Sequence, residues 1–245
     1  MREYCLIGYP LSHSFSQKYF TEKFKKEEIG DAEFHAFAIP SIADLPQLLS
    51  EHPLLKGFAI TIPYKKSVIH YLDEISDTVK ATQACNCVKI NVGKLSGFNT
   101  DVAGFERSFM PHLLPHHKKA LILGTGGAAA AVQYVLQKLQ IDYCFVSRNN
   151  EKEKGILTYA DLNAAVIKEY TVIINCTPLG TYPKIEDAPD IPYDLLTPEH
   201  YLFDLVYNPA LTKFLKSGAA HKAIIQNGYD MLVIQAEENW KIWNE

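Results

Sequence analysis

The sequence predicts an α/β protein of two domains, each built around a mainly parallel sheet. Short apolar strands alternate with helical segments, which is the pattern of βαβ units. The alternation starts twice, once at the amino terminus and again near residue 119, where a strand runs into Gly124-Thr125-Gly126-Gly127. We therefore expect domains at 1–100, completed by a C-terminal helix 229–245, and at 101–228, with a cleft between them.

The first series contains strands bounded by turn residues and helices with apolar residues on one side. Its predicted strands are 3–7, 33–38, 57–62, 85–91 and 94–98, and its predicted helices are 16–28 and 42–49. Val92-Gly93 predicts a hairpin turn between the last two strands, which would form an antiparallel edge. A helix over 101–110, capped by Thr100 or Asp101, leads out of this series.

The second series is simpler, with a helix of small residues after its first strand. The predicted strands are 119–123, 142–147, 172–175, 201–204 and 223–225, and the predicted helices are 128–139 and 229–243. The segment 111–119 carries two prolines and three histidines. Adjacent His116 and His117 converge poorly on one metal, so we interpret the segment as an exposed linker and expect no metal site.

Composition narrows the class of protein. Hydrophobic residues make up 47%, charged residues 21%, and the net charge is -4, which is ordinary for a globular domain and gives no basic excess for nucleic acid. No apolar run approaches the roughly 18 residues of a membrane helix, and the first residues are too soon interrupted for a signal peptide. We expect a cytoplasmic protein whose five cysteines are mostly buried free thiols.

The glycine-rich turn is a candidate dinucleotide site. Gly124-x-Gly126-x-x-Ala129 lies between a predicted strand and a predicted helix, the context that the fingerprint requires. The first glycine permits the tight turn, the second lets the backbone approach a pyrophosphate, and the helix N-terminus offers N–H groups to it. A plain strand-to-helix turn is the alternative, which the context makes less favourable.

The end of the second strand of this series indicates which dinucleotide binds. An NAD site places Asp or Glu there for the ribose hydroxyls, but this strand ends in Ser147-Arg148-Asn149. The Arg148 guanidinium is a planar, permanently charged group suited to a 2′-phosphate. We therefore predict NADP(H), the alternative being a solvated surface arginine.

Eight motifs, in order along nearly the whole chain, resemble those of the shikimate dehydrogenase family. They are Gly8-Tyr9-Pro10-Leu11-Ser12-His13-Ser14-Phe15-Ser16, Thr61-Ile62-Pro63-Tyr64-Lys65, the stretch around Asn86, Gly97-Phe98-Asn99-Thr100-Asp101-x-x-Gly104, the glycine loop 124–128, Asn175-Cys176-Thr177-Pro178-Leu179-Gly180, Asp204-x-x-Tyr207-x-Pro209-x-x-Thr212, and Gly228-x-x-Met231-Leu232-x-x-Gln235. The chain departs from the usual family residues at Gln17, Phe20, Thr21, Ala59, Gln83, Cys87 and Asn149. None of these departures falls on the residues to which the resemblance assigns the reaction.

The resemblance implies an NADPH-dependent enzyme that interconverts 3-dehydroshikimate and shikimate, in the route to chorismate and the aromatic amino acids. It implies Lys65 as the acid/base group and Asp101 as its carboxylate partner, although Lys65 could be a surface lysine and Asp101 a plain helix cap. Substrate contacts are implied at Ser14, Ser16, Thr61, Lys65, Asn86, Asp101, Tyr207 and Gln235. Cofactor contacts are implied at Gly124, Thr125, Gly126, Gly127, Ala128, Arg148, Asn149, Leu205 and Gly228.

Two of these site predictions, for the serines and for Gly228, have a structural alternative. Ser14 or Ser16 could cap the helix that follows as well as bind a carboxylate. Gly228 is expected beside the nicotinamide, where a missing side chain lets the ring approach the backbone, or else simply to end a strand. We expect a monomer or a homodimer that binds a small-molecule substrate, with neither nucleic acid nor a membrane as partner.

Three alternatives stay open from the sequence. A sister enzyme acting on quinate or using NAD would be favoured by an acidic residue after the second nucleotide strand. A non-catalytic dinucleotide sensor would be favoured by loss of Lys65 or Asp101, and both are present. A folate-linked dehydrogenase of similar plan is disfavoured by the Ser14 and Ser16 loop.

Overall fold

The computed structural model describes residues 1–11, 15–149 and 155–245 and divides into two compact units. The first unit is Met1–Thr100 with Gln235–Glu245, and the second unit is Asp101–Ile234. The C-terminal helix contributes its first residues to the second unit and its remainder to the first. Within the described residues, no helix is long and apolar enough to cross a membrane.

The first unit contains a six-stranded mixed sheet with the strand order β2-β1-β3-β5-β6-β4. Its elements are β1 (Arg2–Gly8), α1 (Phe15–Lys26), β2 (Ala32–Ala38), α2 (Leu45–Glu51), β3 (Leu55–Ile60), β4 (Glu74–Ile75), α3 (Asp77–Thr82), β5 (Cys87–Asn91) and β6 (Lys94–Phe98). β1 pairs in parallel with both β2 and β3, so the carboxyl ends of β1 and β3 lie at the same edge of the sheet.

The predicted hairpin of β5 and β6 is confirmed, but its position at the edge of the sheet is wrong. Val92 and Gly93 both have positive φ, at 49° and 77°, as a two-residue turn between twisted strands requires. β4 pairs with β6 on its outer side and becomes the edge strand. With only two residues, β4 is too short to give a periodic signal in the sequence.

An aromatic cluster packs the C-terminal helix against one face of the first sheet. Trp243 is buried with Tyr4, Phe20 and Phe34 around it, and its Nε1 donates to the carbonyl of Val88 at 3.0 Å. The indole occupies the space above Gly57, where a Cβ would lie 2.2 Å from the ring. The last residues of the chain therefore complete the core of the first unit.

The second unit contains a six-stranded parallel sheet with the order β12-β11-β10-β7-β8-β9. Its elements are α4 (Asp101–Phe109), β7 (Lys119–Leu123), α5 (Gly127–Lys138), β8 (Asp142–Ser147), β9 (Leu157–Thr158), α6 (Ala164–Glu169), β10 (Val172–Asn175), β11 (Tyr201–Asp204), α7 (Lys213–Ala220) and β12 (Ile224–Gln226), followed by α8 (Tyr229–Asn244). The strand order reverses at β7, between β8 and β10. Open α/β sheets bind ligands at the carboxyl edge beside such a reversal.

Register brings three strand ends of the second unit side by side. Leu123 pairs with Asn175, and Asn175 pairs with Asp204. The glycine-rich loop after β7, the loop after β10 and the loop after β11 therefore leave the sheet from adjacent positions.

The linker 111–119 is less exposed than predicted. His117 is buried, with its ring stacked on Tyr201 at 5.8 Å and its Nε2 3.1 Å from the carbonyl oxygen of Glu199. Burial lowers the pKa of His117. The sequence pattern of prolines and histidines did not distinguish a packed imidazole from a solvated one.

Candidate active site

The loops that follow β1 and β3 lie against each other in the first unit. The Tyr9 amide donates to the carbonyl of Ile62 at 3.1 Å, and the Thr61 amide donates to that of Ile7 at 3.0 Å. A Cβ on Gly8 would lie 2.4 Å from Cγ2 of Thr61, so only glycine permits this approach. The first two family motifs therefore meet because parallel strands end at the same edge.

The two predicted carboxylate-binding serines have different outcomes. Ser14 lies outside the described residues. Ser16 is the second residue of α1 and is 9% exposed, so it is not the residue before the helix and the capping role predicted for it is wrong. Ser16 instead lies in the first turn of α1.

Lys65 projects from a turn that is fixed on both sides. The Tyr64 amide donates to the Thr61 carbonyl at 3.0 Å, and the Cys85 amide donates to the Lys65 carbonyl at 2.7 Å. The hydroxyl of the buried Tyr64 donates to the carbonyl of Ile39 at 2.6 Å. The backbone of Lys65 is thus held by hydrogen bonds, while its side chain is half-buried.

A network of neutral polar side chains holds Asn86 and Gln235. The Asn86 Oδ1 accepts from the Thr100 amide at 2.7 Å, and the Asn86 Nδ2 lies 3.4 Å from Oε1 of Gln235. The Thr100 hydroxyl donates to Oδ1 of Asn239 at 2.7 Å, and Nδ2 of Asn239 lies 3.4 Å from Oε1 of Gln235. All four side chains are buried, so the network fixes the orientation of the Gln235 amide.

Asn239 was not predicted as a residue of the site, and Thr100 was predicted only as a possible helix cap. An asparagine four residues after Gln235 lies on the same side of a helix, which was the available signal. It was not decisive, because the contact of Asn239 with Thr100 joins residues far apart in the sequence.

The glycine-rich loop of the second unit has the geometry that a pyrophosphate requires. Gly124 has φ +96°, and a Cβ there would meet Cγ2 of Thr177 at 3.0 Å. Gly126 is the N-cap of α5, Gly127 is the first residue of that helix, and no atom lies within 4 Å of the position of a Cβ on either. Thr125 is exposed, Ala128 is half-buried, and the helix N-terminus is open to an anion.

Arg148 and Asn149 follow β8, both with exposed side chains. The Asn149 amide donates to Oγ of Ser147 at 3.2 Å, which shapes the turn after the strand. The position at which NAD sites carry a carboxylate is occupied by a guanidinium, as the sequence indicated. Residues 150–154 lie outside the described residues.

Leu205, Tyr207 and Gly228 lie where β11 and β12 end. A Cβ on Gly228 would lie 2.2 Å from the Leu205 carbonyl oxygen, and the Gly228 amide donates to the Val206 carbonyl at 3.2 Å. The structure thus gives a reason for the glycine that the sequence analysis did not anticipate: the backbone after β11 packs directly on it. Tyr207 is 36% exposed in this loop, and the partial burial of its side chain raises its pKa.

Among the described residues of the second unit, two carboxyl groups are buried, those of Asp101 and Asp204. Asp101 is the first residue of α4 and is 7% exposed. Asp204 ends β11 and is 0% exposed. Burial raises the pKa of Asp204 to about 6, although hydrogen bonds from Thr212, Val206 and Asn175 act in the opposite direction.

A parallel sheet with an open glycine loop in one unit, and a polar amide network beside a lysine in the other, define a two-domain dinucleotide-dependent oxidoreductase. Residues 6–88 match the family model described as the shikimate dehydrogenase substrate binding domain. A shikimate dehydrogenase (NADP(+)) of Clostridium beijerinckii is 37% identical over 256 residues, covering 100% of this chain and 93% of the relative. The chain belongs to the shikimate dehydrogenase family.

Solved structures agree with this assignment. A chorismate mutase/shikimate 5-dehydrogenase fusion protein from Clostridium acetobutylicum matches with a TM-score of 0.88 and 32% identity, over 100% of this chain and 91% of that chain. Shikimate 5-dehydrogenase from Thermus thermophilus, in complex with NADP(H) and shikimate, matches with a TM-score of 0.85 and 28% identity. That match covers 99% of this chain and 93% of the other.

Proposed function

We propose that this protein is a shikimate dehydrogenase that catalyses the reversible, NADPH-dependent reduction of 3-dehydroshikimate to shikimate, a step towards chorismate and the aromatic amino acids. The observation that carries the proposal is the similarity to NADP(+)-dependent shikimate dehydrogenases along the whole chain. The same chain retains the lysine and the aspartate that the family motifs place in the reaction.

The residues of the second unit fit NADP. The open space at Gly126 and Gly127 accommodates a pyrophosphate at the N-terminus of α5, and Arg148 offers two parallel donors to a 2′-phosphate. When bound, NADP(H) supplies or accepts the hydride. The Leu205 and Gly228 backbones, packed against each other, would line the nicotinamide end of the site.

The proton chemistry falls to Lys65 in this proposal. The Lys65 ammonium donates a proton as the ketone oxygen becomes a hydroxyl, and takes one back in the reverse direction. The family motifs pair Lys65 with Asp101, so the two groups would act together in the reaction. The hydrogen-bonded turn from Thr61 to Lys65 fixes the backbone from which the Lys65 side chain extends.

Substrate recognition is assigned to the neutral groups of the first unit, together with Tyr207. Ser14 and Ser16 would receive the substrate carboxylate, while Thr61, Asn86 and Gln235 would bind ring hydroxyls. Because the amides of Asn86 and Gln235 are buried and already oriented, an analogue lacking a hydroxyl would leave a buried polar group unpaired. The cytoplasmic location and the monomeric or homodimeric state remain predictions from the sequence.

A four-way assay tests the proposal. The purified protein is offered shikimate or quinate, each with NADP or NAD, and the absorbance of the reduced nicotinamide is followed. We expect shikimate with NADP to give by far the largest kcat/KM. A larger kcat/KM with quinate, or with NAD, would transfer the assignment to the sister activity, and absence of turnover in all four pairs would contradict it.

A further inference from the structure

The buried carboxylate of Asp204 has no role in the chemistry just described, yet it accepts hydrogen bonds from three directions. Its Oδ1 accepts from Nδ2 of Asn175 at 2.9 Å and from the Val206 amide at 3.0 Å. Its Oδ2 accepts from the hydroxyl of Thr212 at 2.6 Å. Burying a carboxylate is unfavourable unless such donors surround it, so this arrangement calls for an explanation beyond packing.

Through Asn175, Asp204 is connected to the glycine-rich loop. The Oδ1 of Asn175 accepts from the amide of Thr177 at 3.0 Å and from its hydroxyl at 2.6 Å. The methyl group of Thr177 in turn lies 3.0 Å from the position that a Cβ on Gly124 would occupy. The turn after β10 is therefore fixed directly beneath the turn that would bind the pyrophosphate.

Through Val206 and Thr212, the same carboxylate fixes the loop after β11. The Val206 carbonyl accepts from the Gly228 amide, and the Leu205 carbonyl contacts Gly228 closely. Thr212 also caps α7, its hydroxyl accepting from the Leu215 amide at 3.3 Å. Both ends of the 205–212 loop are thus joined to one buried group.

We propose that Asp204 is a positioning residue for the dinucleotide: its carboxylate holds the loops after β10 and β11 where the glycine-rich loop and the Leu205 backbone can bind NADP. This inference rests on the proposed function for the identity of the ligand. Asp204 does not touch the reacting atoms in this scheme, and it acts through Asn175, Val206 and Thr212.

Two substitutions of Asp204 separate hydrogen bonding from charge. Asp204→Asn keeps an oxygen facing Asn175 and Val206, and its NH₂ can donate to the Thr212 hydroxyl, which can accept. Asp204→Ala removes every acceptor. We expect the Kd of NADP, measured by calorimetry without substrate, to change less than about threefold in Asp204→Asn and to rise about ten- to a hundredfold in Asp204→Ala, since small misplacements of binding groups have effects of that size.

The KM of shikimate distinguishes a specific effect on NADP binding from a general structural defect, because a general defect would raise that KM as well. Of its proposed ligands only Asp101 and Tyr207 lie in the second unit, and Tyr207 is in the loop that Asp204 holds. In Asp204→Ala the KM of shikimate at saturating NADP should therefore rise by less than the Kd of NADP, and in Asp204→Asn it should stay within about twofold. Asp142→Ala is the matched control, because Asp142 is an exposed aspartate at the opposite end of β8. It should leave both constants unchanged.

A second pair of variants keeps the test decisive if Asp204→Ala does not fold. Thr212→Ser retains the hydroxyl that donates to Asp204, and Thr212→Val loses it, so only Thr212→Val should weaken NADP binding. Three results would each overturn the proposal. The first is an equal Kd of NADP in Thr212→Ser and Thr212→Val, and the second is an unaltered Kd of NADP in folded Asp204→Ala. The third is an equal rise in the Kd of NADP in Asp204→Asn and Asp204→Ala. If the wild type binds NAD rather than NADP, the proposed function fails, and the same variants test Asp204 with NAD.

Discussion

Raising the pH from about 4.5 to about 7.5 ionises Asp204, and we expect the second unit to lose stability over that interval relative to Asp204→Asn. Burial raises the pKa of Asp204 to about 6 in the folded protein. An unfolded aspartate titrates near 3.9. A folded-state pKa above the unfolded one contributes stability that is fully present below pH 3.9 or so and is lost as the pH rises through 6 or so.

The whole effect follows from that difference of about two pKa units, each worth 1.36 kcal/mol, which gives roughly 3 kcal/mol, and about 2 kcal/mol of it falls between about pH 4.5 and about pH 7.5. The asparagine variant does not titrate, so it serves as the reference at every pH. At low pH the two proteins should have similar free energies of unfolding, and at neutral pH the variant should be the more stable one.

The assay is urea unfolding at several pH values, followed at once by far-ultraviolet circular dichroism and by tryptophan fluorescence. Both tryptophans, Trp240 and Trp243, belong to the first unit, so fluorescence reports that unit alone. We expect the difference between wild type and Asp204→Asn to appear in the dichroism transition and to be absent from the fluorescence transition. A difference that stays constant from about pH 4.5 to about pH 7.5 would refute the reasoning.

Three further outcomes are expected from single substitutions. Lys65→Ala should lower kcat by about 10²–10⁴-fold while shikimate still binds in equilibrium titration, and near-normal turnover would remove Lys65 from the chemistry. Arg148→Ala should raise the Kd of NADP far more than that of NAD, whereas equal losses would leave Arg148 only a structural role. Asn239→Ala removes a donor from Oε1 of Gln235, so the KM of shikimate should rise about tenfold with the KM of NADP unchanged, and an unchanged KM of shikimate would contradict the positioning of Gln235 by Asn239.

Elements with a strong local pattern, either an apolar run or a helical period, were predictable from the sequence. The sequence placed β8, β10 and β11 at their observed ends, and α5 and α8 within one residue of theirs. It missed β4, β9, α3, α6 and α7, which span eight residues or fewer. β4 and β9 have only two residues each, and α3, α6 and α7 have too few turns to show a helical period, whereas β10 and β11 are short but stand out as apolar runs.

The residues of the candidate site also divide into those that the sequence predicted and those that it did not. Gly124 was found because the spacing of the glycines between a strand and a helix is informative without the fold, and Lys65 was found because its motif resembles that of the family. The partners that orient them were not, since Asn239 meets Thr100, and Asp204 meets Asn175, across 139 and 29 residues. A single sequence does not show which distant polar side chains contact each other. The need for glycine at position 228 likewise follows only from the structure, in which the Leu205 backbone packs against it.

Trp243, seated above Gly57, has a consequence for synthesis on the ribosome. Residues 101–234 form a contiguous unit, but the first unit includes residues 235–245, which the ribosome makes only after the whole of the second unit. While the second unit is being synthesised, the face of the amino-terminal sheet around Phe20 and Phe34 therefore lacks the C-terminal helix that covers it in the folded protein. Synthesis of the first unit thus begins before that of the second unit and is completed after it.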